Sequence, residues 1–483
     1  VNTWCGNVEF CQGGGGAFGY RADSSEECSP KNPGPLMRMM RGNTYKLTLV
    51  NTASPGHVTN IHTHGLHING EGDSDNIVRT VDGGKCLDYT YVIPDDHPGG
   101  TYWYHPHKHG TVESHVEGGG YGMLIVEDDH DSTLGEWAWA HANEKLLQVF
   151  SVPCTMLFGR CTLFSPPSLL YGNGNENEVI QVEADMWYRL RVSIVAMDEN
   201  KGDLSFEGGA CTVYKVASDG VWHQRPFNTW GGYSGNRPHF GLTGASRADF
   251  AIKCAFGSNT EVRWNNGRVA RISAGNYGTG GGMAGGLAAL GSAPPTTGAL
   301  SAEAIRSANV PSANRRRFSV SINSINNRAW NPNSGLGNIA YNQVHEWTLS
   351  GLNLHNFHIH LYHMLIVSPG GCGDQKEGEF YDTIGYGRND ECKVRFFAGD
   401  FGGRMVMHCH MLNHEDSGAM NWVNVTGNIP QLPMDVPQHD CTAIHGTGTA
   451  PPTTGYPTAN PTVRPTTGNP TVNPTMRPTT STP

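Results

Sequence analysis

His408-Cys409-His410-Met411-Leu412-Asn413-His414 closes a segment that starts at Val394-Arg395-Phe396-Phe397 and passes through Gly402-Gly403. Side chains on a strand alternate between its two faces. In His-Cys-His both imidazoles therefore point one way and the thiol points the other. One strand can then join two metal sites through covalent bonds. Thiolate and imidazole suit copper, and a trigonal set of two histidines and one cysteine with a weak axial ligand is the blue-copper electron-transfer centre. Three further motifs lie upstream: His62-Thr63-His64-Gly65, Trp103-Tyr104-His105-Pro106-His107 and His355-Asn356-Phe357-His358-Ile359-His360. One HxH alone is weak evidence. Here ten of the 23 histidines fall into four short windows, which is far from chance. Cys409 with His355 and His414 supplies the trigonal set. The other eight, His62, His64, His105, His107, His358, His360, His408 and His410, are too many for one metal and suit a cluster. A structural zinc site closes with four ligands, usually rich in cysteine, so zinc is the poorer fit.

Around these motifs the sequence reads as β structure. The runs YKLTLVN (45–51), YTYVIP (89–94), MLIVED (123–128) and WYRLRVSIV (187–195) carry two-residue periodicity and β-branched side chains. Gly (63) and Pro (29) punctuate them, and few segments show helical periodicity. An all-β chain with frequent turns implies sandwiches or barrels. At roughly 100–200 residues per domain, 483 residues suggest about three domains. No apolar run approaches the ~18 residues of a membrane span. The net charge of −10 argues against a nucleic-acid partner, which calls for a basic patch.

Twelve cysteines in Gly-rich, irregular sequence suggest disulfides and an oxidising compartment, hence a secreted or cell-wall location. Close pairs are Cys5 and Cys11, Cys154 and Cys161, Cys211 and Cys254, and Cys372 and Cys392. With Cys409 reserved for metal an odd number remains, and connectivity stays open. The start at Val1, without a signal-peptide pattern, is expected of a chain whose leader was removed or of a fragment. Residues 277–300 read as a linker. From 450 onward Thr and Pro dominate, and APPTTG recurs at 293–298 and 450–455. That composition predicts a disordered, stalk-like tail.

The motifs, their order and their spacing resemble the multicopper oxidases, the laccase and copper-efflux oxidase family. The resemblance is strong from PGPLMRMMRGNTYKLTLVN to YGMLIVED and from VHEWTLSGLNLHNFHIH to VRFFAGDFGGRMVMHCHMLNHEDSG, and looser between. It implies three consecutive cupredoxin-like Greek-key β-sandwich domains with a disordered C-terminal tail. The expected divisions are 1–35 as a cysteine-bearing N-terminal segment, 36–140, 141–300 and 301–445 as the domains, and 446–483 as the tail. It also implies four coppers per chain. His355, Cys409 and His414 would hold a type 1 copper. His62 and His358 would hold the type 2 copper. His64, His105, His107, His360, His408 and His410 would hold the type 3 pair. The partners would be O2 and a small reducing substrate, and a monomer is expected. Phenols or aromatic amines are the first substrate reading, and Fe(II), Mn(II) or Cu(I) the second. A non-catalytic copper-binding matrix protein is the reading from another class. Water formation needs protons, and by family position Glu415 and Asp73 would relay them, with Asp75 an adjacent candidate. The pattern departs at the axial position of the type 1 site. Ala419 stands where relatives often have Met, Leu or Phe, and Met420 is one residue further.

Overall fold

Alternation along the strands decides which faces are buried. In Thr44–Asn51, Tyr45, Leu47, Leu49 and Asn51 turn inward, while the residues between them lie nearer solvent. Glu178–Ala184 alternates in the same way. The computed structural model describes residues 3–13, 17–22, 28, 33–127, 140, 143–152, 155–157, 160–162, 169–196, 201–227, 238–277, 301–368, 370–385, 391–427 and 437–441. The expected linker beyond 277 and the Thr/Pro tail lie outside these residues.

Three β-sandwiches follow one another. The first pairs a five-stranded sheet, built on Thr3–Gln12, Thr44–Asn51 and Lys85–Val92, with a four-stranded sheet of Gly34–Met40, Gly122–Glu127, Gly100–His105 and His62–His64. The middle one pairs a six-stranded sheet centred on Trp187–Ala196 and Arg247–Cys254 with a five-stranded sheet centred on Gly267–Tyr277 and Asn259–Trp264. The last pairs a six-stranded sheet centred on Gln343–Ser350 and Cys392–Ala398 with a five-stranded sheet that holds Met420–Thr426, Gly403–His408 and Asn356–Ile359. Each sandwich encloses its own apolar core. Each also contains parallel neighbours, for example Thr3–Gln12 with Thr44–Asn51, Glu144–Val152 with Trp187–Ala196, and Arg315–Ser321 with Gln343–Ser350. Helices among the described residues are short, such as Val112–Glu117 and Leu412–Asp416.

The sandwiches are locked together by buried charge. Every residue of Trp187–Ala196 is buried, including Arg189 and Arg191. The Arg189 guanidinium donates to Asp249 Oδ2 at 2.6 Å. Asp249 in turn accepts from Thr101 Oγ1 of the first sandwich at 2.6 Å, and Arg191 donates to the same Thr101 hydroxyl at 3.2 Å. A pair buried this deeply is costly to break, because removing one partner strands the other charge.

The C-terminal end departs from the expected division. His439–Asp440 does not stay with the last sandwich but pairs antiparallel with Lys85–Val92 of the first. A disulfide between Cys86 and Cys441 fixes it there. Cys211–Cys254 and Cys372–Cys392 are joined as their proximity suggested. Cys11 is joined to Cys28 rather than to Cys5, because Cys5 and Cys11 lie six residues apart in the one extended strand Thr3–Gln12, where a rise of ~3.3 Å per residue holds them too far apart to bond. The side chains of Cys5, Cys154 and Cys161 lie outside the described residues. Cys86–Cys441 closes a loop of 355 residues, so among the disulfides of the described residues it restrains the unfolded chain most. Replacing both cysteines by Ser is expected to cost about 2–5 kcal/mol and to lower the thermal midpoint by calorimetry. An unchanged midpoint would show that strand pairing alone holds the terminus.

Candidate metal centre

The eight cluster histidines meet between the first and last sandwiches, brought there by strand register. His62 stands opposite His105 across His62–His64 and Gly100–His105. His358 stands opposite His408 across Asn356–Ile359 and Gly403–His408. The two halves then face one another. The rings of His62 and His360 stack at 4.0 Å, and those of His64 and His358 at 3.9 Å. His107 Nε2 lies 3.2 Å from His408 Nε2, and His360 Nε2 lies 3.3 Å from the same atom. His410 Nε2 lies 3.2 Å from His64 Nδ1. All eight are buried.

Cys409 points the other way, into the core of the last sandwich with Phe357, Ile359 and Ala419. Its Sγ is 3.6 Å from His355 Nδ1 and 3.6 Å from His414 Nδ1, and those two nitrogens are 3.0 Å apart. The alternation within His408-Cys409-His410 thus separates two donor sets by one residue.

Both sets fit a metal. His62 Nε2, His105 Nε2 and His358 Nε2 are buried without a hydrogen-bond partner. Such orphans are rare unless something else satisfies them. Their opposite nitrogens are held: His62 Nδ1 donates to Asp75 Oδ2 at 2.7 Å, His105 Nδ1 to Pro106 O at 2.9 Å and His358 Nδ1 to Asp382 O at 2.9 Å. Ligating histidines are oriented in this way, with the second nitrogen donating outward. Burial, and next the neighbouring imidazoles, hold His62, His360 and His410 far below the usual histidine range. Burial likewise lowers His64, His107 and His408, takes His105 to about 3 and His355 to about 4, and lowers His414. Neutral imidazoles with free lone pairs are ligands in waiting. Burial also pushes the Cys409 thiol up to about 12, so a cation is needed to hold the thiolate.

These shifts carry a sign for the metal-free protein. A histidine whose folded value is depressed binds more protons unfolded than folded. Stability is therefore lost as pH falls from the unfolded value of about 6.5 toward 4 and 3. Metal-free protein is expected to show a falling urea midpoint over that window. A midpoint flat from pH 6.5 to 4 would mean that these histidines are protonated in the fold.

The two carboxylates singled out from sequence lie differently. Glu415 is fully buried, with Oε1 3.2 Å from His107 Nδ1 and Oε2 3.0 Å from His408 Nδ1. Burial raises its carboxyl to about 7. Asp73 does not take the position expected of it. Its Oδ1 is buried without a hydrogen-bond partner, and its backbone carbonyl accepts from Thr90. Asp75 stands at the cluster instead, because its backbone N–H donates to Asn69 O and turns the loop so that its carboxylate meets His62 and the Thr63 N–H. A cavity of about 10 Å³, enough for one water, lies beside Asp75 and His360 under Trp330 and Arg404. Asp382 and Thr383, which no sequence motif marked, also touch the site: Asp382 Oδ1 is 3.2 Å from His64 Nε2, and Thr383 Oγ1 is 3.1 Å from His358 Nδ1.

At the other site, the Cys409 N–H donates to Ala419 O, and Ala419 shares the Cys409 core. Met420 packs in a separate cluster with Ile77, Val406, Trp330 and Trp422. Consecutive strand residues face opposite ways, so Ala419 and not Met420 is on the thiol side.

Comparison with known proteins agrees with this geometry. The family model described as multicopper oxidase matches residues 27–131, and a second model of the same description matches 303–428. Laccase-4 of Thanatephorus cucumeris is 30% identical over 233 residues, which are 42% of this chain and 42% of that protein. The match thus spans less than half the length of this curated relative. Among solved structures, a laccase from Pediococcus acidilactici superposes with a TM-score of 0.68 at 19% identity, covering 88% of this chain and 90% of that one. A multicopper oxidase from Campylobacter jejuni, described as a metallo-oxidase, superposes at 0.65 with 18% identity, covering 88% and 91%. These superpositions identify the sandwiches as cupredoxin-like. The matched segments carry all four histidine motifs, and the chain belongs to the multicopper oxidase family.

Proposed function

We propose that the chain is an oxidase that couples four one-electron oxidations of a small reducing substrate to O2 + 4 H⁺ + 4 e⁻ → 2 H2O. The observation that carries the reading is the His408-Cys409-His410 segment, which links a surface-near trigonal set to a buried eight-histidine pocket. In this reading His355, Cys409 and His414 hold a type 1 copper. His62 and His358 hold a type 2 copper. His64, His105 and His410, with His107, His360 and His408, hold a type 3 pair. When bound, copper supplies one-electron acceptors at the first site and an electron store for reducing O2 at the second.

The chain's residues do the rest. His414 sits at the half-buried edge of the trigonal set, on the helix Leu412–Asp416, where a substrate can approach. Cys409 and its flanking backbone give the shortest covalent route inward. Glu415 holds a proton between His107 and His408, and Asp75 fixes the donor nitrogen of His62. Ala419, on the thiol side, offers no thioether, so His355, Cys409 and His414 would hold a copper there without help from that residue.

Phenols and aromatic amines are the first substrate class, supported by the likeness to laccases. A metal-ion substrate, Fe(II), Mn(II) or Cu(I), is favoured by one feature: Glu113 and Glu117 lie on the helix Val112–Glu117, which packs against the helix carrying His414. The protein is proposed to be secreted, in keeping with its disulfides, and to be a monomer. The test is copper content and the blue absorption of the Cys409–copper bond, followed by O2 uptake with a phenol, Fe(II) and Mn(II) in parallel. Four coppers per chain and uptake with one of these substrates are expected. Protein loaded with copper that lacks the blue band, or that consumes no O2 with any of them, would overturn the reading.

A further inference from the structure

The middle sandwich supplies none of the eleven candidate ligands, yet it reaches the residue behind the cluster through Arg247 and Asp219. Arg247, at the start of the strand Arg247–Cys254, is fully buried. Its guanidinium makes a two-pronged pair with Asp382 of the last sandwich. Nη1 donates to Oδ1 at 3.0 Å and Nη2 donates to Oδ2. A third bond runs from Nε to Thr101 O of the first sandwich at 3.4 Å. Asp219, also of the middle sandwich, accepts the Arg247 N–H on Oδ1 at 3.0 Å and the Asp382 N–H on Oδ2 at 3.2 Å. The pair is thereby fixed from both ends.

What Asp382 touches next is the cluster. Its Oδ1 lies 3.2 Å from His64 Nε2, and its backbone carbonyl accepts from His358 Nδ1 at 2.9 Å. Thr383 Oγ1 donates to Asp382 Oδ1 at 2.9 Å and stands 3.3 Å from His64 Nε2. The result is an asymmetry among the histidines. His62, His105 and His358 turn Nε2 inward, and His107, His360, His408 and His410 meet their neighbours through Nε2. His64 alone has Nε2 turned outward, onto Asp382, so that Nδ1 faces His410. A carboxylate accepts and never donates when ionised, so it draws the ring proton to Nε2 and leaves the lone pair on Nδ1.

Gly65 shows that the chain is shaped around this contact. A Cβ there would come 2.3 Å from Arg247 Nη2 and 2.5 Å from Asp382 Oδ2, and its φ is +87°. The glycine after His62-Thr63-His64 therefore lets the ion pair lie directly against the first motif.

We infer that Arg247, acting through Asp382, is a positioning device by which the middle sandwich selects Nδ1 of His64 as a metal donor and orients His358 beside it. This rests on the copper reading above. Loss of partners behind metal-ligating histidines lowers metal affinity or activity by roughly 10–100-fold. Two variants test it in the full-length, disulfide-bonded protein. Asp382→Asn keeps shape but weakens the ion pair. The double change Arg247→Met with Asp382→Leu removes both charges of this pair together, while Asp219, whose Oδ1 lies 3.6 Å from Arg247 Nη1, keeps the backbone N–H of residue 247 as a donor.

The readouts are copper content, the blue band and the electron paramagnetic resonance signal of the non-blue copper. Nitrogen NMR of the histidine rings in metal-free protein reports the His64 tautomer without any loaded site. In the double variant the blue band is expected to persist, while cluster copper binds roughly 10–100-fold more weakly with an altered resonance signal. Metal-free His64 is expected to lose its fixed tautomer. Variants that melt earlier but keep the parent resonance signal, copper affinity and His64 tautomer would reduce Arg247 to a structural brace and overturn the inference. Parent protein that takes no copper into the histidine pocket would instead overturn the copper reading.

Discussion

Cys409→Ser is expected to abolish the blue absorption and to lower O2 uptake with every reducing substrate by more than the roughly 10–100-fold that an outer partner costs. The reason is positional. Cys409 is the only residue that belongs to one donor set while its two peptide neighbours belong to the other. Its Sγ stands 3.6 Å from both His355 and His414, whereas His408 and His410 lie within the histidine pocket. Serine has nearly the same shape, so the core around Phe357 and Ile359 should hold and the melting midpoint should move little. Its hydroxyl is a poor copper ligand, because soft thiolate is what selects the blue-copper site. The expected protein is therefore folded, colourless and still charged with copper at the histidine pocket. Copper analysis, the visible spectrum and O2 uptake on one preparation separate these properties. A Cys409→Ser protein that still consumed O2 with a phenol at near parent rate would mean that electrons reach the pocket by another route.

Much of this arrangement was legible because it depends on period two. Alternation in YKLTLVN and WYRLRVSIV predicts strands, and the same alternation in His-Cys-His predicts two sites on opposite faces. The ten histidines and Cys409 are brought to those two places. What sequence could not reveal arises where distant segments meet. Asp382 lies 318 residues from His64, in a stretch with no motif, and Arg247 comes from the loosely matching middle of the chain. Asp73 and Asp75 are two residues apart in one polar loop, and bonds such as Asp75 N–H to Asn69 O and Thr90 N–H to Asp73 O, which no sequence pattern announces, decide which carboxylate meets His62. The return of His439–Asp440 to the first sandwich was likewise hidden, because a two-residue strand has no periodicity to read.

Glu415→Gln is expected to lower kcat by roughly 10²–10⁴ while leaving KM for the reducing substrate nearly unchanged, the range that loss of a positioned acid or base produces. Glu415 has no solvent exposure and lies between His107 and His408, one histidine from each of the facing sandwiches. Bulk water therefore cannot replace it. Burial favours its neutral form, and in that form it can give up a proton where the oxygen chemistry is proposed to occur. Glutamine fills the same volume and keeps one carbonyl acceptor but has no proton to deliver near neutral pH. Substrate is proposed to meet the His414 edge rather than this carboxylate, which is why binding should be spared while turnover falls. The blue band should also survive, since Glu415 faces the histidine pocket. The informative contrast is Asp75→Asn. Asp75 Oδ2 accepts from His62 at 2.7 Å, so its loss should appear first as weaker copper retention, by roughly 10–100-fold. A Glu415→Gln protein with parent kcat, set against an Asp75→Asn protein that keeps its copper yet turns over slowly, would transfer the proton-donating role from Glu415 to Asp75.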